Sequence, residues 1–399
     1  MNETPLANRK HIAVYGNMNS GKSSLVNALT GQEISIVSPV KGTTTDPVKK
    51  AMELIPYGPV VFIDTAGLDD SGDLGTMRAE RSKAVLRETD LALYVIDPTN
   101  EDGNIDEMTK LFSRYKTPYV IVINKTDIAS KDIVQKIKER YPNAIEVSAS
   151  TGEGIDVLRE KLANILKEGD EEETYVGHLL PSGSKVILVV PVDSEAPKGR
   201  LILPQVQVIR DCLDHGIKSY VVRDVELKSA LEDMPNVDLV ITDSQAFARV
   251  NEIVPENIML TSFSMLFAYQ KGNFDVFLKG VEELDNLKEG SRILIAESCT
   301  HNHTHEDIGR VKIPRLVNKY TGYNLNYDFC AGRDFPKDLK DYDLVIHCGS
   351  CMINKKALSS RIIECLESGV PITNYGIVLS KVNGILERTV QIFKRAGKI

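Results

Sequence analysis

The chain has no tryptophan, and aromatic residues make up only 6% of it. It contains no run in which basic and aromatic side chains interleave, the pattern that single-stranded nucleic acids need as a stacking groove. Positive charge is in deficit: 48 Lys and Arg stand against 56 Asp and Glu, a formal net charge of −8. That balance argues against a nucleic-acid or anionic-membrane partner. Long apolar runs are missing as well. The stretch 186–192 is among the longest, far too short to span a bilayer. Residues 1–5 carry no hydrophobic signal core, so a cytoplasmic, membrane-free protein is expected. Six cysteines in 399 residues do not make a disulfide framework.

What is present argues for several domains. The length exceeds one ordinary domain, and a hydrophobic content of 42% supports sizeable cores. Between residues 10 and 167, apolar strand patterns (11–15, 60–63, 91–96, 119–123, 144–147) alternate with helical ones (22–29, 132–139). Such a βαβ series implies an α/β fold with a mainly parallel sheet. An acidic run, 168–173, then reads as a helix end and a solvated linker. Beyond it the pattern echoes itself. The strand at 184–190 resembles that at 291–296, and Asp238-Leu239-Val240-Ile241 is matched by Asp343-Leu344-Val345-Ile346. Two smaller α/β units of similar topology are predicted, whether by duplication or by chance likeness of short strands.

The first strand runs into Gly16-Asn17-Met18-Asn19-Ser20-Gly21-Lys22-Ser23, which fits G-x-x-x-x-G-K-[ST] between a strand and a helix. Gly16 and Gly21 let backbone N–H groups turn toward phosphate oxygens, and the helix that begins with Lys22, Ser23 and Ser24 adds its positive end. Lys22 is positioned for the β/γ-phosphates and Ser23 for Mg²⁺. Asp64-Thr65-Ala66-Gly67 ends a strand, where Asp64 would hold Mg²⁺ and the Gly67 N–H would sense the γ-phosphate. Asn124-Lys125-Thr126-Asp127 is a base-selecting element. The Asp127 carboxylate accepts two hydrogen bonds from guanine, which adenine cannot supply, and such a site discriminates by about 10⁴-fold. Ser148-Ala149-Ser150 fits the last base-contacting loop. Together these motifs predict a P-loop GTPase domain binding GTP and Mg²⁺.

Gly42-Thr43-Thr44-Thr45-Asp46 resembles the switch motif of the TrmE–Era-like GTPases. That resemblance implies Thr44 as a Mg²⁺ ligand and Asn19 as a K⁺ ligand, with K⁺ in place of an arginine finger. Leu68 occupies the place of the water-positioning Gln of Ras-type GTPases. An apolar residue cannot orient water, so slow intrinsic hydrolysis is expected.

The other concentration of chemistry is Cys299-Thr300-His301 together with His347-Cys348-Gly349-Ser350-Cys351. Each follows a predicted strand, so parallel neighbours would bring the three thiols to one carboxyl-end edge. A structural zinc site completed by His301 or His347, a set of redox thiols, or a [4Fe–4S] cluster on three cysteines would each suit this pattern. His303 and His305 extend a polar loop. His11, His178 and His215 have no partner motif.

The combination of these GTPase motifs with Gly42–Pro47, Cys-x-His and a distant His-Cys-x-x-Cys resembles the HydF maturase family over essentially the whole chain. The resemblance implies a GTPase domain at 7–167, a linker at 168–180, a dimerisation unit at 181–268 and a [4Fe–4S] unit at 269–399. It implies Cys299, Cys348 and Cys351 as cluster ligands, with His301 or His347 as a fourth. It further implies a homodimeric scaffold that takes a transient di-iron subcluster from HydE-like and HydG-like radical-SAM maturases and delivers it to apo-[FeFe]-hydrogenase. A second function class is a GTPase with a Cys₃His zinc module acting in RNA- or ribosome-linked assembly.

Overall fold

The computed structural model describes residues 6–31, 48–65, 84–100, 105–169, 174–191, 201–298, 307–332, 334–336 and 338–397. They form two compact units, 1–171 and 172–399.

The first unit is built on a six-stranded sheet of order β2-β3-β1-β4-β5-β6. Its strands are β1 (Lys10–Tyr15), β2 (Val48–Leu54), β3 (Gly58–Asp64), β4 (Leu91–Ile96), β5 (Tyr119–Ile123) and β6 (Ile145–Glu146). All neighbours pair in parallel except β2, which runs antiparallel to β3 along the edge. Ile12 and Val14 enter one core and Ala13 and Tyr15 the other. Both faces are covered, which is why the central strands read as unbroken apolar runs. The edge strand β2 was not anticipated. Its alternating Lys49, Lys50 and Glu53 give no buried run to detect.

The second unit holds two four-stranded sheets, β10-β9-β7-β8 and β12-β11-β13-β14. The strands of one are β7 (Lys185–Val189), β8 (Lys218–Val222), β9 (Leu239–Thr242) and β10 (Met259–Ser262). Those of the other are β11 (Arg292–Ala296), β12 (Asn326–Cys330), β13 (Leu344–His347) and β14 (Ile372–Asn374). Every described pairing is parallel. Numbered within each sheet, the order is the same, 2-1-3-4, so the two units echo each other in topology as expected. β12 starts at Asn326, after Gly322 ends the preceding helix in a left-handed turn and the chain crosses to the sheet edge.

Two of the implied boundaries fall within packed structure. The solvated character expected of 168–173 does not extend to 174–180, the rest of the implied linker. The amides of Tyr175, Val176 and Gly177 all donate to Oδ2 of the buried Asp211, at 3.1, 2.6 and 3.0 Å, and Tyr175 and Val176 join the core. A carboxylate buried at this depth holds the segment because it needs those donors. The boundary between 268 and 269 falls inside the helix Phe263–Lys271. That helix cannot be divided because one core runs through both sheets, from Val186, Leu188 and Ile241 to Ile293, Leu294 and Ile346.

The C-terminal helix Leu386–Arg395 closes the second unit by reaching back to the first of its sheets. The Arg388 guanidinium donates to Asn251 Oδ1 at 2.7 Å and to the carbonyls of Val254, Pro255 and Ile258 at 2.9, 2.6 and 3.2 Å. These carbonyls follow the end of the helix Phe247–Ile253, where backbone acceptors lose their helical partners. Replacing Arg388 by Met is expected to cost about 2–3 kcal/mol of local stability. Amide exchange across Phe247–Ile253 would then quicken. Unchanged exchange there would show that the guanidinium is not what holds the two sheets together.

Candidate functional site

The nucleotide motifs gather at the carboxyl edge of the six-stranded sheet, where open α/β folds place ligands. Gly16 leaves β1 with φ 139°, and a Cβ there would meet Val95 O at 2.3 Å. Gly21 (φ 87°) caps the helix Lys22–Thr30, and a Cβ there would meet Asn124 Nδ2 at 2.3 Å. Between them Asn19 is exposed, with φ 62°. Only glycine gives the backbone room at both ends of this loop. Lys22 is buried, its ammonium donating to Gly16 O at 2.6 Å and Asn17 O at 2.8 Å. Ser23 Oγ donates to Asp64 Oδ2 at 2.7 Å, so the two groups expected around Mg²⁺ adjoin across residues far apart in sequence. Ser24 is exposed in the first turn.

Asn124 stitches the phosphate loop to the base-side loop. Its Nδ2 donates to Ser20 O at 3.0 Å, and its Oδ1 accepts from Ala149 N at 3.1 Å. Asp127 is exposed, and its oxygens accept from Ser148 Oγ at 2.8 Å and Ser150 Oγ at 3.0 Å. The Ser148 hydroxyl and then that of Ser150 hold the Asp127 carboxyl below its ordinary value, keeping it an acceptor. Asp97, just past β4, was not singled out from the sequence. It binds Lys125 Nζ at 2.6 Å and Thr99 Oγ1 at 2.6 Å. Burial works to raise its carboxyl, but the bonds from Lys125 and Thr99 prevail and lower it. Lys125 sits in the left-handed region at φ 58°. The only sequence signal for Asp97 was an acid closing an apolar strand. Thr44 and Gly67 lie outside the described residues, as does Leu68.

The thiol loop follows β13 in the second unit. Strand β11 lies between β12 and β13, with Ala296 opposite Cys330 on one side and His347 on the other. Cys348 N donates to Ala296 O at 2.9 Å and extends the ladder past β13. The Cys348 sulfur then meets Ser298, whose N and Oγ lie at 3.1 and 3.0 Å. Burial, with the neighbouring Cys348, pushes the Cys351 thiol up to about 11. Soft-metal loading there must therefore release a proton. Cys330 likewise rises to about 11, chiefly through burial.

His347 serves the fold. It is fully buried, with Nδ1 2.9 Å from Cys348 O and Nε2 2.8 Å from Arg361 Nη1. The guanidinium can only donate, so Nε2 accepts and Nδ1 carries the proton. Burial and then Arg361 push its pKa down to about 3. Both ring nitrogens are engaged in these contacts. Cys299 and His301 lie outside the described residues, and among the described residues no three His, Cys, Asp or Glu side chains form a metal-binding group. The donor set still suits a soft, thiolate-held group: two thiols in one turn, with the Ser298 N–H donating to sulfur and its hydroxyl in hydrogen-bond contact with it.

Three family models match the chain. Residues 175–272 match the hydrogen maturase F dimerization domain, 275–392 the hydrogen maturase F tetramerization domain, and 11–125 the 50S ribosome-binding GTPase. The first unit is thus a GTPase domain. Similar curated proteins include a GTPase Der of Wolinella succinogenes, 36% identical over 39% of this chain and 35% of that protein. A GTPase Era of Caldicellulosiruptor saccharolyticus is 34% identical over 40% of this chain and 55% of that protein. The chain thus spans only part of the length of these relatives. Among solved structures, Aquifex aeolicus Era matches with 22% identity and a TM-score of 0.31, over 53% of this chain and 92% of that one.

Asp127→Asn is expected to weaken GTP binding by about 10²–10⁴-fold, since an amide cannot replace a doubly accepting carboxylate. The same variant should gain affinity for xanthosine triphosphate, whose base offers an acceptor where guanine offers a donor. Calorimetry with both nucleotides decides. An unaltered preference for GTP would remove Asp127 from base selection.

Proposed function

The chain belongs to the hydrogen maturase F family, and on that premise we propose that it is a GTP-hydrolysing scaffold for [FeFe]-hydrogenase cofactor assembly. Its cargo, a di-iron subcluster, is received from HydE-like and HydG-like partners and passed to the apo-hydrogenase, with the scaffold itself a homodimer. The observation that carries this reading is the coexistence of a guanine-selecting site in one unit with the Cys348–Cys351 thiol loop in the other. The zinc-module alternative has less support, because the two models covering 175–272 and 275–392 both describe hydrogen maturase F.

In this reading Lys22 and the amides of the phosphate loop bind the phosphates, while Ser23 and Asp64 hold Mg²⁺ with Thr44. Asn19 takes K⁺, and Gly67 senses the γ-phosphate. Asn124, Lys125, Asp127, Ser148 and Ala149 fix the base. Cys299, Cys348 and Cys351 hold a [4Fe–4S] cluster, with His301 or His347 as the candidate for a fourth ligand. When bound, such a cluster supplies an iron with a replaceable ligand, suited to temporary holding. Ser298 orients the Cys348 sulfur, and the burial of Cys348 beside the half-buried Cys351 limits the access of water to it.

Anaerobic reconstitution tests the scaffold. The wild-type chain should take up about four irons and four sulfides, the content of one cluster. Cys348→Ser should lose them while GTP turnover stays near the wild-type rate. One zinc per chain and no visible absorption would sink the reading. Separately, GTP hydrolysis should be faster in K⁺ than in Na⁺, and Asn19→Ala should erase the difference. Equal rates in the two salts would withdraw the K⁺ site.

A further inference from the structure

The thiol loop is braced from the other sheet of the second unit by a lysine. Lys271 ends the helix Phe263–Lys271, which follows β10, and is only 1% exposed. Its ammonium donates to Ser350 O at 3.3 Å and to Ile353 O at 3.2 Å, with the ring of Phe267 5.4 Å away. Ser264, on the same helix, lies 3.6 Å from where a Gly349 side chain would begin. The helix thus lies against the loop at one point and reaches it with charge at another.

The two carbonyls that Lys271 takes are placed around Cys351. The carbonyl of Ser350 and the amide of Cys351 belong to one peptide group. Burial raises the Cys351 thiol, while the Lys271 ammonium and the amides of Cys351 and Met352 act the other way, toward the thiolate. A peptide polarised at its oxygen by an ammonium becomes a stronger donor at its nitrogen. Ser350 holds a left-handed φ of 58°, a conformation costly for a residue with a side chain unless its surroundings impose it. A further loop carbonyl, Cys348 O, is held by Asn374 Nδ2 at 3.1 Å and His347 Nδ1 at 2.9 Å. The carbonyls of Cys348, Ser350 and Ile353 therefore each meet a protein donor.

We propose that Lys271 is a positioning residue for the iron group held by this loop: it clamps the Ser350 and Ile353 carbonyls and fixes a positive charge beside Cys351. The proposal rests on the cluster-carrying reading above and deepens it. Net charge and hydrogen bonds to sulfur set the potential of thiolate-held iron clusters. A fixed cation beside Cys351 favours the reduced, more negative state. A lysine that only fills space would be replaced by methionine without changing that balance.

The test is an anaerobic redox titration, followed by EPR, of the full chain reconstituted with iron and sulfide. Lys271→Met is expected to lower the midpoint potential and to release iron to a chelator several-fold faster than wild type. Lys271→Arg, which keeps the charge, should return the potential toward the wild-type value. Wild-type iron content with an unchanged potential in Lys271→Met overturns the proposal alone. A wild-type chain that takes up no iron overturns the underlying reading and the proposal with it. Should Lys271→Met fail to fold, Lys271→Gln keeps a donor and loses the charge. A lowered potential in that variant supports the proposal, and an unchanged one overturns it.

Discussion

Parallel pairing of β11 with β13 is the constraint on which the thiol site depends. Its register sets Ala296 beside His347, and the bond from Cys348 N to Ala296 O carries the ladder one residue further. Parallel strands share one direction, so their carboxyl ends open on the same edge. Ser298 and Cys348 are fifty residues apart in the chain, yet they meet because both strands end there. A slip of one residue would turn Cys348 to the opposite face of the sheet and separate it from Ser298.

Around this edge the structure meets the cost of buried polarity by exact partnering of donors with acceptors. Neutral His347 accepts from Arg361, and Arg361 donates onward to Gly332 O and lies over the Phe335 ring. Lys271 and Asn374 satisfy carbonyls of the same loop. Removing one member strands its partner away from water, which costs more than the bond itself contributes. The nucleotide edge works by the same economy with fewer charges. Asn124 joins two loops with one amide, and Lys125 is held by Asp97.

Much of this organisation was readable in the residues. The nucleotide motifs are local, each a short string at a strand end, and the strands 91–96, 119–123 and 292–296 stand where their apolar patterns put them. The echo between the two smaller sheets was readable too, because β7, β9, β11 and β13 are central strands with apolar runs. The strands β2, β10 and β14 were not anticipated. They lie at sheet edges, where one side is unpaired and the apolar run shortens or alternates with charge. The segment 174–180 was misplaced because its anchor, Asp211, is far along the chain.

Sequence by itself determined the α/β class, the guanine-selecting motifs and the presence of a thiol pair at one strand end, since these depend on neighbouring residues and on period. Tertiary structure decided the roles. His347 reads as a ligand beside two cysteines, and only burial against Arg361 makes it a neutral brace with both nitrogens engaged. Lys271 reads as the polar end of an apolar helix, and only the packing of one sheet on the other brings its ammonium to Ser350 and Ile353. Contacts between residues so distant in the chain are set by how the sheets pack, and no local pattern encodes them.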